Sequence, residues 1–254
     1  MLNWPADLQA LTTWLPGWPD PPWQMRGTTV TAWFVPPRPL LDSVLGPLRD
    51  AAAPHRLARV RFYDVEFAGP SRNPSVPAQG RFREAVVAFP ARVAGLIGEV
   101  SAFMWTDSDT YLTWSREAFG WPLRRAGFEL DGGVWDGSTD TGTGRATFAD
   151  GAITIEVAGS GPEAAPEPVP GSGTWITPRM IIPSDPSAPG QIEINAVTPR
   201  LVTPGAQRPV RVTAQLSLPA GHPLHGLDPA IVRADLRTGC ELVVGEAVTT
   251  LRAY

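Results

Sequence analysis

Apolar and polar residues alternate along most of this chain with the period of a β-strand. Thr28 to Val35 is β-branched or aromatic at nearly every position, and Leu57–Phe67, Phe82–Val93 and Glu99–Trp105 read the same way. Further strands are predicted at Arg145–Phe148, Ala152–Ala158, Thr174–Ile182, Gln191–Val202, Val210–Ser217 and Cys240–Tyr254. Helical spacing is confined to short pieces. Pro5–Leu15 is one, and Pro39–Asp50 is another, with Leu40, Leu41, Val44, Leu45 and Leu48 on one face and a proline in the first turn. A third covers Arg116–Arg125, interrupted by Gly120 and Pro122. Thr106-Asp107-Ser108-Asp109 reads as a polar turn leading to Tyr111–Trp114, and turn chemistry accounts for its two aspartates. Many short strands, few helices and Gly/Pro turns predict a mainly β, antiparallel sandwich or barrel.

One domain over residues 1–254 is expected. Residues 1–25 form a Trp/Pro-rich arm in which prolines stop any long helix. Gly69–Gly80 and the Pro/Ala/Glu/Ser/Gly segment at 159–173 read as surface loops. Gly221-His222-Pro223-Leu224-His225-Gly226 is a tight loop before the apolar segment Pro229–Leu236.

Composition narrows the function. A net charge of −4 argues against nucleic acid or an anionic membrane as the main partner. The single cysteine, Cys240, cannot form an intrachain disulfide and fits a reducing compartment. No secretory pattern and no apolar run of roughly 20 residues is visible, so a cytoplasmic protein is expected. His222 and His225 have no cysteine or carboxylate cluster beside them, and no metal site or cofactor is expected. No Gly-x-Ser-x-Gly elbow or phosphate cradle is present. Ten tryptophans suggest either core filling or an aromatic-walled pocket for a bulky apolar ligand.

One stretch carries more. Ser115-Arg116-Glu117, followed by Gly120-Trp121-Pro122-Leu123-Arg124, resembles the signature of the acetoacetate decarboxylase family. There Gly-Arg-Glu leads to Pro-Lys-Lys, whose first lysine forms a Schiff base while the second lowers its pKa. Gly80-Arg81-Phe82-Arg83-Glu84 through Gly95, Gly98-Glu99 and Met104-Trp105 follow the family's order without gaps. Trp175–Val197 is similar to its later paired strands, and the last forty or so residues to its closing loop, short helix and strand. The resemblance implies an antiparallel β-barrel or cone with a few short helices.

Residue by residue, the resemblance puts Glu84 at the family's active-site glutamate, Tyr63 at a second carboxylate, and Arg26 at a carboxylate-holding arginine. It puts Leu123 at the Schiff-base lysine and Arg124 beside it. The sequence contains no lysine at all. Arginine stays protonated and is a poor nucleophile, so imine chemistry has no carrier. Glu84, Tyr63 and Arg124 are therefore the candidate catalytic residues, and Arg26, Leu123, Met104, Trp105 and Trp121 the candidate substrate contacts. Relatives of this kind have turned to aldol, dehydration and cyclisation chemistry. The expected function is a non-covalent cyclisation, dehydration or isomerisation of a bulky polyketide-like small molecule by a homo-oligomer. The alternatives are a lysine-independent β-keto acid decarboxylase and a catalytically inactive binding protein.

Overall fold

The computed structural model describes residues 23–46, 57–67, 80–93, 95–161, 173–181, 191–245 and 248–253. The arm up to residue 22, with its Pro5–Leu15 helix, and nearly all of the 159–173 loop lie outside these. Strands β1 (Trp23–Phe34), β2 (Ala58–Phe67), β3 (Phe82–Val93) and β4 (Leu96–Thr106) pair antiparallel in sequence. Helix α1 (Arg38–Leu45) connects β1 towards β2 and buries Leu40 and Leu45.

After β4 comes helix α2 (Asp109–Phe119), and here the structure corrects the expected turn and short strand. Ser108 is an N-cap that accepts the Tyr111 amide, so the acidic quartet starts a helix instead of turning between strands. Gly120, in the left-handed region at φ 71°, stops it, with its amide on the Arg116 carbonyl. Helix and signature therefore separate: Leu123–Arg125 is not helical but forms β5, parallel to β4.

The rest is strand: β6 (Gly127–Asp131), β7 (Thr141–Phe148), β8 (Gly151–Ser160), β9 (Trp175–Ile181), β10 (Gln191–Val197), β11 (Arg200–Thr203), β12 (Ala206–Ser217), β13 (Ile231–Val244) and β14 (Val248–Ala253). The apolar segment Pro229–Leu236 and the start of the expected Cys240–Tyr254 strand thus join in the single strand β13, and the closing short helix is replaced by strand. The sheet has 14 strands, ordered β14-β10-β9-β4-β3-β2-β1-β13-β12-β8-β7-β6 along its path. Strand β12 pairs with β13 through Ala206–Pro209 and with β8 through Val210–Ser217, so it turns the chain from one sheet into the next.

That turn folds β6–β8 over one face of β1–β4. Val30, Phe34, Phe62, Val87 and Phe89 meet Ile153, Ile155 and Val212 in the larger core. The opposite face of β1–β4 is also covered, by α2, β5 and the chain around Trp121, forming a second cluster with Trp23, Phe82, Tyr111 and Phe119. Strands buried on both faces lose simple alternation and read as nearly continuous apolar runs, as β3 does. One irregularity sets side-chain direction: in β4, Ala102 is an extra residue between Ser101, opposite Ala88, and Phe103, opposite Val87. Close approach matters at Gly27, where a Cβ would lie 2.1 Å from the Asp64 carbonyl oxygen.

The second face also buries charge. Arg59 pairs with Glu99, with side chains 3% and 1% exposed. Removing one partner of such a pair strands the other in a medium that cannot solvate it. Arg59→Met is expected to lower unfolding free energy by about 3–5 kcal/mol in urea titrations, and adding Glu99→Leu should recover most of that loss. A single variant as stable as the wild type would show that the pair does not hold this face.

Candidate active site

Two rows of side chains cross the sheet on the face opposite the larger core. In the first, Asp235, Thr31, Arg61, Val86, Met104 and Leu123 are successive neighbours on β13, β1, β2, β3, β4 and β5. In the second, two residues along each antiparallel strand, Arg237, Thr29, Tyr63, Glu84 and Thr106 follow one another. Period-two alternation puts both rows on one side because each strand contributes residues two apart.

Arg61 joins the rows. Its Nε–H donates to Thr31 Oγ1 at 3.1 Å, and a terminal N–H donates to the Tyr63 hydroxyl. Its guanidinium also lies over the Tyr63 ring, 5.3 Å from the centroid. Asp235 is buried and accepts from Gln207 Nε2 at 2.7 Å. These groups line a cavity of about 210 Å³ together with Arg59, Arg237, Trp33, Trp175 and Cys240. The cavity is smaller than the roughly 300–1,000 Å³ usual for drug-sized ligands, and its floor is polar. The aromatic part of the lining is Trp33, Tyr63 and Trp175, and the other rings of the second cluster pack on one another. Tyr111 stacks on Phe82 at 4.1 Å, Phe119 on Trp121 at 4.8 Å, and Trp121 meets Trp175 edge-on at 5.6 Å.

Glu84 sits between floor and aromatic layer, 5% exposed. Burial pushes its carboxyl up to about 8, against the opposing pull of Arg61 and of a hydrogen bond from Tyr111. Its Oε1 has no hydrogen-bond partner among the described residues. Tyr63 is pushed up to about 12 by burial, although Arg61 favours its ionised form, and so it stays a phenol. Burial likewise holds the Tyr111 hydroxyl well above its ordinary value. Burial raises Asp235 too, with Arg237 and Arg61 pulling the other way. The neutral acid and phenol can exchange protons, while Arg61 supplies fixed positive charge.

The expected site residues divide by strand face. Glu84, Tyr63, Met104, Leu123 and Trp121 share one cluster or its rows. Leu123 is fully buried against Met104, so hydrocarbon fills that position. Arg124, its neighbour in β5, is exposed and near His222, away from Glu84. Trp105 points into the larger core, stacked on Phe148 at 4.8 Å, because it follows Met104 directly in the strand. Arg26 is also on the far side: 58% exposed, it pairs with Glu66 at 3.0 Å. Arg61 lines the cavity beside Tyr63, whereas Arg26 and Arg124 do not line it. The signal for Arg61 was present in Arg59-Val60-Arg61-Phe62-Tyr63, where every second residue is polar and Val60 and Phe62 between them are apolar. Asp235 and Arg237 carry the same alternation in Arg233-Ala234-Asp235-Leu236-Arg237, whereas Tyr111 had no such signal.

No protein-family model matches the chain, and no curated protein matches it. Solved structures do. An acetoacetate decarboxylase superposes with a TM-score of 0.71 at 15% identity, covering 100% of this chain and 99% of its own. An acetoacetate decarboxylase-like enzyme from Sphingomonas wittichii RW1 gives 0.65 at 13%, covering 91% and 93%. The enduracididine biosynthesis enzyme MppR, complexed with the condensation product of pyruvate and imidazole 4-carboxaldehyde, gives 0.67 at 14%, covering 92% and 90%. With near-complete coverage on both sides, the chain has the acetoacetate decarboxylase-like fold.

Proposed function

We propose that this chain is an enzyme that works without a covalent imine, isomerising, dehydrating or cyclising a small carbonyl acid by proton transfer. The observation that carries this reading is the Arg61–Tyr63–Glu84 arrangement: a fixed cation, a phenol and a neutral carboxylic acid in neighbouring positions. The neutral Glu84 carboxyl takes the α-proton on its carbonyl oxygen while its O–H protonates the substrate carbonyl, and Arg61 with Tyr63 offers donors where negative charge builds on that oxygen. Glu84 next to Tyr63 returns the proton to a different atom, or to a departing hydroxyl. The cavity favours a compact substrate over the bulky polyketide-like one expected from tryptophan content. The pyruvate adduct bound by MppR, a protein of the same fold, is of the compact kind. No helix among the described residues is long and apolar enough to cross a membrane.

A second reading is lysine-independent decarboxylation, in which Arg61 and Tyr63 hold the enolate left by departing carbon dioxide. Mass-resolved turnover of wild type, Glu84→Gln and Tyr63→Phe on short keto and hydroxy acids separates the readings. An isomeric product or loss of water supports the first, and loss of carbon dioxide the second. Glu84→Gln is expected to lower kcat by roughly 10²–10⁴-fold, and Tyr63→Phe by a smaller factor. Substrate recovered unchanged from all three proteins, yet bound, would make the chain a binding protein and end the enzymatic reading.

The Glu84 environment also gives a stability signature. Its carboxyl titrates at 4.5 when unfolded and about 8 when folded, so the folded state holds the proton more tightly. Stability is therefore full below pH 4.5 and falls as pH rises towards 8, by several kcal/mol at ~1.4 kcal/mol per pKa unit. In urea unfolding at about pH 5 and about pH 8, Glu84→Gln is expected to remove most of that fall. For wild type, kcat/KM should decline above an apparent pKa near 8 if the neutral acid is the active form.

A further inference from the structure

The cavity floor has a regular plan. Strand β1 contributes two small residues, Thr31 and Thr29, both buried. On one side β2 places Arg61 beside Thr31 and Tyr63 beside Thr29. On the other, β13 places Asp235 beside Thr31 and Arg237 beside Thr29. Arg61 and Arg237 thus occupy diagonal corners of a six-residue patch, with threonines between them that leave room above. All six line the cavity.

The charges in this patch are unevenly satisfied. Arg59, the other arginine of the lining, is already paired with Glu99. Arg61 spends its Nε–H on Thr31 and one terminal N–H on Tyr63, and a guanidinium has five N–H donors. Arg237 makes no hydrogen bond or ion pair among the described residues, beyond a Coulombic attraction to Asp235. Asp235 is held by Gln207 and faces Arg237, Arg61 and Arg233, so it offers nothing to an incoming ammonium group. Two cations with spare donors, set apart across a floor of hydroxyls, match a ligand with an anionic group at each end.

We infer that the cavity is built for a short dicarboxylate, one carboxylate on Arg61 and the other on Arg237. This rests on the functional reading above and specifies its substrate class: a carbonyl acid with a second, distal carboxylate. Arg61 is the general anion contact, and Arg237 the residue that distinguishes two charged ends from one. A planar guanidinium can take each carboxylate through two parallel hydrogen bonds.

Direct binding tests this without requiring turnover. Malonate, succinate and glutarate would be titrated calorimetrically into the full chain, against butyrate, monomethyl succinate and γ-aminobutyrate at one ionic strength. The best dicarboxylate should bind roughly ten- to hundred-fold more tightly than the monocarboxylates of its length, the scale of one lost hydrogen-bonded charge contact. In Arg237→Gln that advantage should disappear, and Arg237→Lys should restore part of it. Equal affinity for mono- and dicarboxylates in the wild type overturns the inference while leaving a carboxylate site in place. Preference for γ-aminobutyrate overturns it in favour of a zwitterion held by Asp235. If no acid binds, the anion role of Arg61 falls too, and the functional reading with it.

Discussion

A guanidinium rooted in a packed sheet must be answered by its neighbours where it is covered, and it keeps its remaining donors only where it faces a cavity. Arg61 is in this position. Its strand, β2, is covered on one face by the larger core and on the other by the cavity and the aromatic layer. Phe62, next in sequence, anchors the first face, where it meets Phe128 and Trp135 edge-on or tilted. The placement of Arg61 is thus fixed by hydrophobic packing behind it, and Thr31, Tyr63 and Glu84 are disposed around its charge. The chemistry available to the site follows from that arrangement. Glu84 remains a neutral acid at neutral pH because burial outweighs Arg61, and Tyr63 remains a phenol for the same reason.

A hydrocarbon side chain at position 123 fits its surroundings at little structural cost. Leu123 is packed against Met104 and belongs to the same cluster as Trp121 and Phe119, so an apolar side chain there extends a cluster already apolar. The polar machinery lies further along the same row, at Arg61 and Asp235. The row that ends in hydrocarbon at β5 ends in carboxylate at β13.

Strand content and the position of Glu84 could be read from the chain because both depend on local pattern and on ungapped order along it. Orientation could not. Trp105 lies in a strand that the alternation identified, and Arg26 in β1 ahead of its expected start at Thr28, yet assigning a face needs the partner strand and any bulge between. The 109–119 helix was missed because Tyr111, Thr113 and Trp114 are good strand formers, whereas the Ser108 cap and Gly120 stop outweigh them in context. Asp235 and Arg237 reach the cavity only through pairing of β13 with β1, more than two hundred residues apart in sequence at the Arg26–Glu241 pair. Nothing local marks such a contact.

The extra residue at Ala102 has a genetic corollary. Everything in β4 beyond it, from Phe103 to Thr106, keeps its facing only because the strand holds one residue more than β3 opposite. Loss of that single codon would exchange the sides of Met104 and Trp105, swinging an indole into the layer beneath Glu84 and a thioether into the intersheet core. One small deletion would therefore repack both hydrophobic clusters at once, which a point substitution on either face cannot do.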